Sequence, residues 1–186
     1  MGGRPASALT STQAGIAGEQ LFAATVTLSS EGELELFKPL TDDDHTDIST
    51  GRRGRVPSLA LQVKTARHLD RKGHAGARMV FPSGQPREHP TFVYGVVYVV
   101  DACIQCAWVV PSADFNRLAY RGAGRHGKGI ELQFMARPDL DDHWAPYRCG
   151  RLELGSRLLA LIDALPPGSL ESLLGDHLVL RRQSRP

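Results

Sequence analysis

The sequence predicts an α/β domain: a mixed β-sheet with helices on its faces. Three observations carry this reading. A capped, largely apolar stretch near the start has helical character. Several short runs of apolar or alternating residues, LALQVKTA and FVYGVVYVV among them, read as strands. A leucine-rich helical segment follows near residue 160, so helices and strands are interleaved along the chain in the order α-β-β-β-loop-β-β-α-β-α.

Residues 1–10 are rich in Gly, Pro, Ala and Ser and are expected to be disordered. Ser11 or Thr12 can cap a helix that runs to about Ser29, with Ile16, Leu21, Ala24 and Leu28 as its core-facing stripe. Glu31-Gly32 ends it. Leu34, Leu36 and Leu40 alternate with Glu33, Glu35 and Pro39, the pattern of a strand with one exposed face. An acidic turn leads to a short strand at Asp47–Thr50. Gly51 to Arg55, with Pro57, marks a hairpin turn into a strand over Leu59–Thr65. Residues 66–90 read as a loop holding a short strand at Ala77–Phe81. Phe92–Val100 and Ile104–Val110 form a long hairpin. Ser112 or Asp114 caps a short helix to about Tyr120, a Gly- and base-rich loop spans Gly122–Gly129, and Ile130–Met135 is a strand. Trp144–Cys149 is a transition. A helix carrying Leu152, Leu158, Leu159, Leu161, Ile162 and Leu165 ends at Pro166-Pro167-Gly168, and Leu170–Leu174 adds a further turn or two. This divides the chain into a tail (1–10), a main domain (11–148) and a C-terminal helical extension (149–186).

Composition narrows the class. Hydrophobic content of 41% and charged content of 23% are those of an ordinary globular protein. No apolar run approaches the ~20 residues of a membrane span, and the first ten residues lack the apolar core of a signal peptide. Three cysteines, an odd number, argue against a disulfide framework and for a reducing, cytoplasmic setting.

Four separated polar residues carry the functional signal: Glu19, Asp47, Gln62 and Lys64. Gln62 and Lys64 are two apart on an apolar strand and share a face, while Val63 points the other way. An amide and an ammonium on a half-buried strand are costly without partners. Asp47 and Glu19 are the expected partners, giving oxygen donors for a cation beside a fixed positive charge.

Gly18-Glu19, the turn from Asp43 to Asp47, and Gln62-Val63-Lys64-Thr65 resemble, in order and context, the PD-(D/E)XK nuclease superfamily. The likeness spans about residues 12–110 and is nearest to the Mrr-like and archaeal Holliday-junction-resolvase-like branches and related bacterial proteins. Two positions depart from the pattern: His45 stands where Gly is usual, and Gln62 is neutral where an acid is usual. The resemblance implies a restriction-endonuclease-like core and metal-dependent hydrolysis of DNA with Mg²⁺ or Mn²⁺. Asp47, Gln62 through its amide oxygen, the Val63 carbonyl and Glu19 would hold the metal. Lys64 would orient water or stabilise charge on the phosphate. Single-domain nucleases of this kind often act as homodimers to cut two strands, although no residue here identifies an interface. The alternative is the same fold with weakened chemistry, binding nucleic acid or a protein partner; the neutral Gln62 keeps it open.

The net charge of +2 hides an asymmetry. Glu31 to Asp47 holds seven acids and one base, Lys38; Gly51 to His74 holds seven bases and one acid, Asp70. Arg52, Arg53, Arg55, Arg67 and Lys72 are therefore expected to contact phosphate beside the metal ligands. Within the acidic turn, His45 could act as a base or phosphate contact, though solvent exposure is the default; Asp43 and Asp44 could supply a second metal ligand, Asp43 first because the resembling family's turn acid falls there, but they more simply form the turn.

Other motifs carry less. Cys103 and Cys106 form C-x-x-C, but a structural zinc needs four ligands, leaving only Cys149 with His126 or His143 to complete it. Arg121–Lys128 looks like a phosphate loop but lacks the Walker ending, since Gly127-Lys128 is followed by Gly129; contact with a nucleic-acid backbone is the functional alternative to a plain exposed loop. Trp108, Trp144 and Tyr147 are expected in the core, with base stacking as the alternative for the last two.

Overall fold

A computed structural model describes residues 9–39, 46–56, 58–82, 84–124 and 129–166. The expectations for residues 1–8, Asp43, Asp44, His45, the 125–128 part of the basic loop and Leu170–Leu174 lie outside the described residues.

The elements in chain order are α1 (Ser11–Ser29), β1 (Leu34–Phe37), β2 (Ile48–Arg52), β3 (Leu59–Ala66), β4 (Ala75–Phe81), β5 (Phe92–Val100), β6 (Cys103–Pro111), α2 (Ser112–Leu118), β7 (Tyr120–Ala123), β8 (Ile130–Ala136), β9 (Arg148–Gly150) and α3 (Leu154–Asp163). Short 3₁₀ turns at Ala145–Tyr147 and Arg151–Glu153 flank β9. Six strands make a mixed sheet in the order β1-β2-β3-β5-β6-β9, antiparallel except for the parallel β3–β5 pair. The expected α/β class is the one observed. A second, three-stranded antiparallel sheet, β4-β8-β7, was not anticipated.

The large sheet separates two cores. Helices α1 and α3 cover one face, where Phe22, Val26, Leu61, Val63, Val97, Leu154 and Leu158 pack. The small sheet and α2 cover the other, an aromatic layer of Tyr94, Trp108, Phe115, Phe134 and Trp144. Strand β3 feeds both, which is why it reads as nearly continuously apolar. Leu59, Leu61 and Val63 face the helices; Ala60 and Ala66 face the small sheet.

The cap of α1 is Thr10, one residue earlier than expected. Its hydroxyl accepts from the Gln13 N–H while the Gln13 side chain accepts from the Thr10 N–H. The buried face of α1 also differs from the expected stripe. Gly18, Phe22 and Val26 are buried, whereas Ile16 is 51% and Leu28 79% exposed. Apolar residues occur all round this helix, so periodicity alone did not select a face. Gly18 selects it, because its missing side chain lets the helix settle onto Thr65 of β3.

The β5–β6 hairpin forms as expected, closed by Asp101 and Ala102, both at positive φ, in the two-residue turn that matches strand twist. Helix α2 starts after Pro111 without a side-chain cap, and Tyr120 belongs to β7 rather than to the helix. From residue 149 onward the chain contributes a strand to the large sheet and, through Leu154 and Leu158, part of the helix-side core. Among the described residues no helix is long and apolar enough to cross a membrane.

Candidate metal and phosphate site

The β2–β3 register pairs Ile48 with Leu61, so Asp47 falls opposite Gln62. The Asp47 N–H donates to the Leu61 carbonyl at 2.9 Å, and Asp47 Oδ2 accepts from the Val63 N–H at 2.6 Å. Gln62 is 6% exposed, and among the described residues its Oε1 has no hydrogen-bond partner. Lys64 is half-buried two residues on and lines a cleft of about 640 Å³ shared with β4 and β8. Asp47, Gln62, Val63 and Lys64 are thus brought together by one antiparallel pair.

Glu19 comes from the helix layer. The close seat of Gly18 on Thr65 sets α1 against β3. The Glu19 carboxylate accepts from Lys38 Nζ at 2.8 Å. That hydrogen bond, with the charges of Glu19 and Asp47, raises the Lys38 ammonium above the ordinary lysine value, although burial opposes it. Lys38 therefore sits in the field of both carboxylates. The sequence reading did not assign it a role, yet it was visible as the lone base in the acidic block.

Two further neighbours were missed. Tyr94 is the register partner of Gln62 on β5, and its buried hydroxyl has no hydrogen-bond partner among the described residues. Burial pushes its phenol up, partly offset by Arg87. Arg87 donates to Thr46 Oγ1 at 3.1 Å and lies 4.5 Å from the centre of the Phe92 ring. It is the one base in the Pro-rich stretch 82–90; nothing in the sequence ties it to Thr46.

The donor chemistry suits a hard divalent cation. Two carboxylates, an amide oxygen and a backbone carbonyl are oxygen donors of the kind Mg²⁺ and Mn²⁺ take, with water completing the shell. The buried Gln62 Oε1 is the observation that fits, because a buried acceptor without a partner is costly. Among the described residues no group of three or more His, Cys, Asp and Glu could hold a metal, so any site here leans on the amide.

The basic block divides. Arg53 and Arg55 occupy the β2–β3 turn, about 20 Å along β2 from Asp47 at ~3.3 Å per residue. Arg52 is engaged: its guanidinium binds Asp163 through both carboxylate oxygens and Glu33 at 3.0 Å. Arg67 and Lys72 lie beyond the other end of β3, on the side of Lys64. Cys103 is exposed, while Cys106 and Cys149 are buried, which pushes each of these two thiols up to about 11. Trp144 packs on Phe134 at 4.6 Å and neighbours Tyr147, so both belong to the core rather than to a stacking surface.

No protein-family model matches this chain, and no curated protein matches it in sequence. Among solved structures, the chain is similar to a bacterial homing endonuclease at 17% identity, over 82% of this chain and 91% of that one, with a TM-score of 0.48.

Proposed function

We propose that this protein is a metal-dependent endonuclease that hydrolyses DNA phosphodiester bonds. The observation that carries the reading is the unpartnered, buried Gln62 Oε1 opposite Asp47 and beside Lys64. Asp47, Gln62 and the Val63 carbonyl would hold Mg²⁺ or Mn²⁺, with Glu19 reaching it directly or through water. Such an ion, when bound, polarises a phosphoryl oxygen and acidifies water. The chain's own groups do the rest. Asp47 fixes the Val63 backbone through its 2.6 Å hydrogen bond, so the donors stay in register. Lys64 supplies a positive charge where negative charge grows on the phosphate. A water oxygen bonds to phosphorus as it gives up a proton, the P–O bond to the leaving oxygen breaks, and the leaving oxygen takes up a proton. A homodimer would present two such sites to two strands.

The test is nicking of supercoiled DNA with Mg²⁺ or Mn²⁺. Asp47→Asn and Lys64→Ala should each abolish cutting with a nearly unchanged melting temperature. Wild-type-like cutting by both sinks the assignment. A second reading, a nuclease-fold module that binds DNA without cutting, is favoured by the Glu19–Lys38 ion pair, which neutralises one carboxylate of a set already short of an acid at Gln62. In that case DNA is bound but never nicked with either metal.

A further inference from the structure

We propose that the outer face of the three-stranded sheet, from Lys64 to Tyr120, docks the phosphate backbone of duplex DNA and delivers it to Lys64; this rests on the nuclease reading above. The register defines the face. Gly76 pairs with Met135, Arg78 with Gln133 and Gln133 with Tyr120, and Val80 pairs with Glu131 and Glu131 with Gly122. The alternate residues Met79, Leu132 and Phe134 point into the core. The named rows therefore face outward, and Tyr120 is 70% exposed.

Three features favour DNA backbone as the occupant. The face is continuous with the proposed site, because one cleft of about 640 Å³ is lined by Lys64, His68, His74, Arg78, Gln133 and Met135. Its charge is complementary to phosphate. Lys64 and Arg78, with Arg67, Arg71 and Lys72 on the β3–β4 loop, outnumber Asp70 and Glu131. Both carboxylates are also engaged: Asp70 with His74 and the Lys72 N–H, and Glu131 with Gln133 Nε2 at 2.6 Å and Arg78 at 3.8 Å. Finally, the face is low. Gly76 and Gly122 carry no side chain, and the Tyr120 ring lies beside Gly122, 3.8 Å from where a Cβ would stand. A duplex can approach the strands closely, with Arg78 and the Tyr120 hydroxyl meeting phosphate oxygens. One exposed aromatic is too few for the row of stacking platforms that single strands need.

The experiment is fluorescence anisotropy with a labelled mixed-sequence duplex, and with one of its strands alone, without divalent metal. Arg78→Gln keeps the side-chain stem and removes the charge; Tyr120→Ala removes the ring; Arg151→Ala, in the 3₁₀ turn beside β9, is the remote control. Arg78 is mostly exposed and its ion pair is long, so folding should persist, and a melt verifies it. Each phosphate contact contributes about 0.9 to the log–log salt slope, so Arg78→Gln should weaken duplex binding about tenfold near 50 mM salt and flatten the slope by ~0.9. Tyr120→Ala should also weaken binding, and Arg151→Ala should not. Wild-type affinity and slope in both face variants overturn the proposal alone, since cutting that depends on Asp47 and Lys64 would stand. Tighter binding of the single strand overturns the duplex assignment. A wild-type protein that binds neither DNA overturns this proposal and the nuclease reading together.

Discussion

Gly15 and Gly18 lie one turn apart in α1, yet an alanine should act with opposite sign at the two positions. At Gly18 a Cβ would overlap Thr65 Oγ1 and stand 2.8 Å from Thr65 Cβ and 2.9 Å from Thr65 Cγ2. The hydroxyl can rotate away, but the Thr65 Cβ is fixed by β3. To restore ordinary contact the helix must retreat by at least about 0.6 Å, loosening Phe22, which packs on Gly95, and Val26 beyond it. Overpacking of this kind costs about 3 kcal/mol, offset by ~1 kcal/mol of helix propensity gained over glycine. The net loss is about 2 kcal/mol, or roughly 4–8 °C in melting temperature for a domain this size. At Gly15 nothing among the described residues lies within 4 Å, so alanine should stabilise by about 1 kcal/mol. Urea unfolding of the two variants, with unchanged m-values, reads both numbers. Thr65→Ala, which removes Oγ1 and Cγ2, should recover part of the Gly18→Ala loss as a coupling between the two sites. Equal stability of Gly18→Ala and wild type, or the same sign at both glycines, refutes the close seat of α1 on β3.

Three further outcomes follow from the same structure. Gln62→Glu restores a charge at the buried amide position and should tighten Mn²⁺ binding measured by titration calorimetry; an unchanged isotherm removes Gln62 from the ligands. The Asp70 carboxyl is held down at about 2, first by the His74 N–H, then by the His74 ring and the Lys72 N–H. Because the folded value is depressed, its contribution is full above the ordinary carboxyl range near ~4 and is lost as pH falls toward 2; an NMR titration of Asp70 near 4 would refute the loop geometry. Finally, a maleimide at neutral pH should label Cys103 alone in the native protein, since burial raises Cys106 and Cys149 to about 11; rapid labelling of all three contradicts the core assignment.

What the sequence could show depended on whether the signal was local. The β5–β6 hairpin was legible because Phe92–Val100 and Cys103–Pro111 are long, rich in β-branched residues and joined by a two-residue turn. Strand β7 was hidden: YRGA has four residues and no apolar alternation, and it is a strand only because β8 pairs with it. Strand β9, with three residues, was hidden for the same reason. The pairing of Asp47 with Gln62 was readable because it needs one hairpin and one register. The division of the arginines was not. Arg52 binds Asp163, 111 residues away, and a long-range ion pair leaves no trace in spacing. The face of α1 was misread because a glycine, rather than a hydrophobic stripe, decides it.

The seating of α3 has a consequence for how the chain is made. Leu154 and Leu158 complete the core that Phe22 and Val26 begin. The Gly155 N–H donates to Ser29 Oγ at 2.8 Å, across 126 residues of sequence, and its Cα lies so near the Ser29–Ser30 backbone that a Cβ would clash. During synthesis α1, β1, β2 and β3 emerge with their apolar face uncovered, and nothing made before α3 can cover all of it. At ~5–20 residues per second, the 88 residues between Ala66 and Leu154 keep this surface open for roughly 4–18 s. Exposed apolar surface of this kind is what chaperones bind, and a chain cut short before residue 154 lacks Leu154 and Leu158 of the helix-side core.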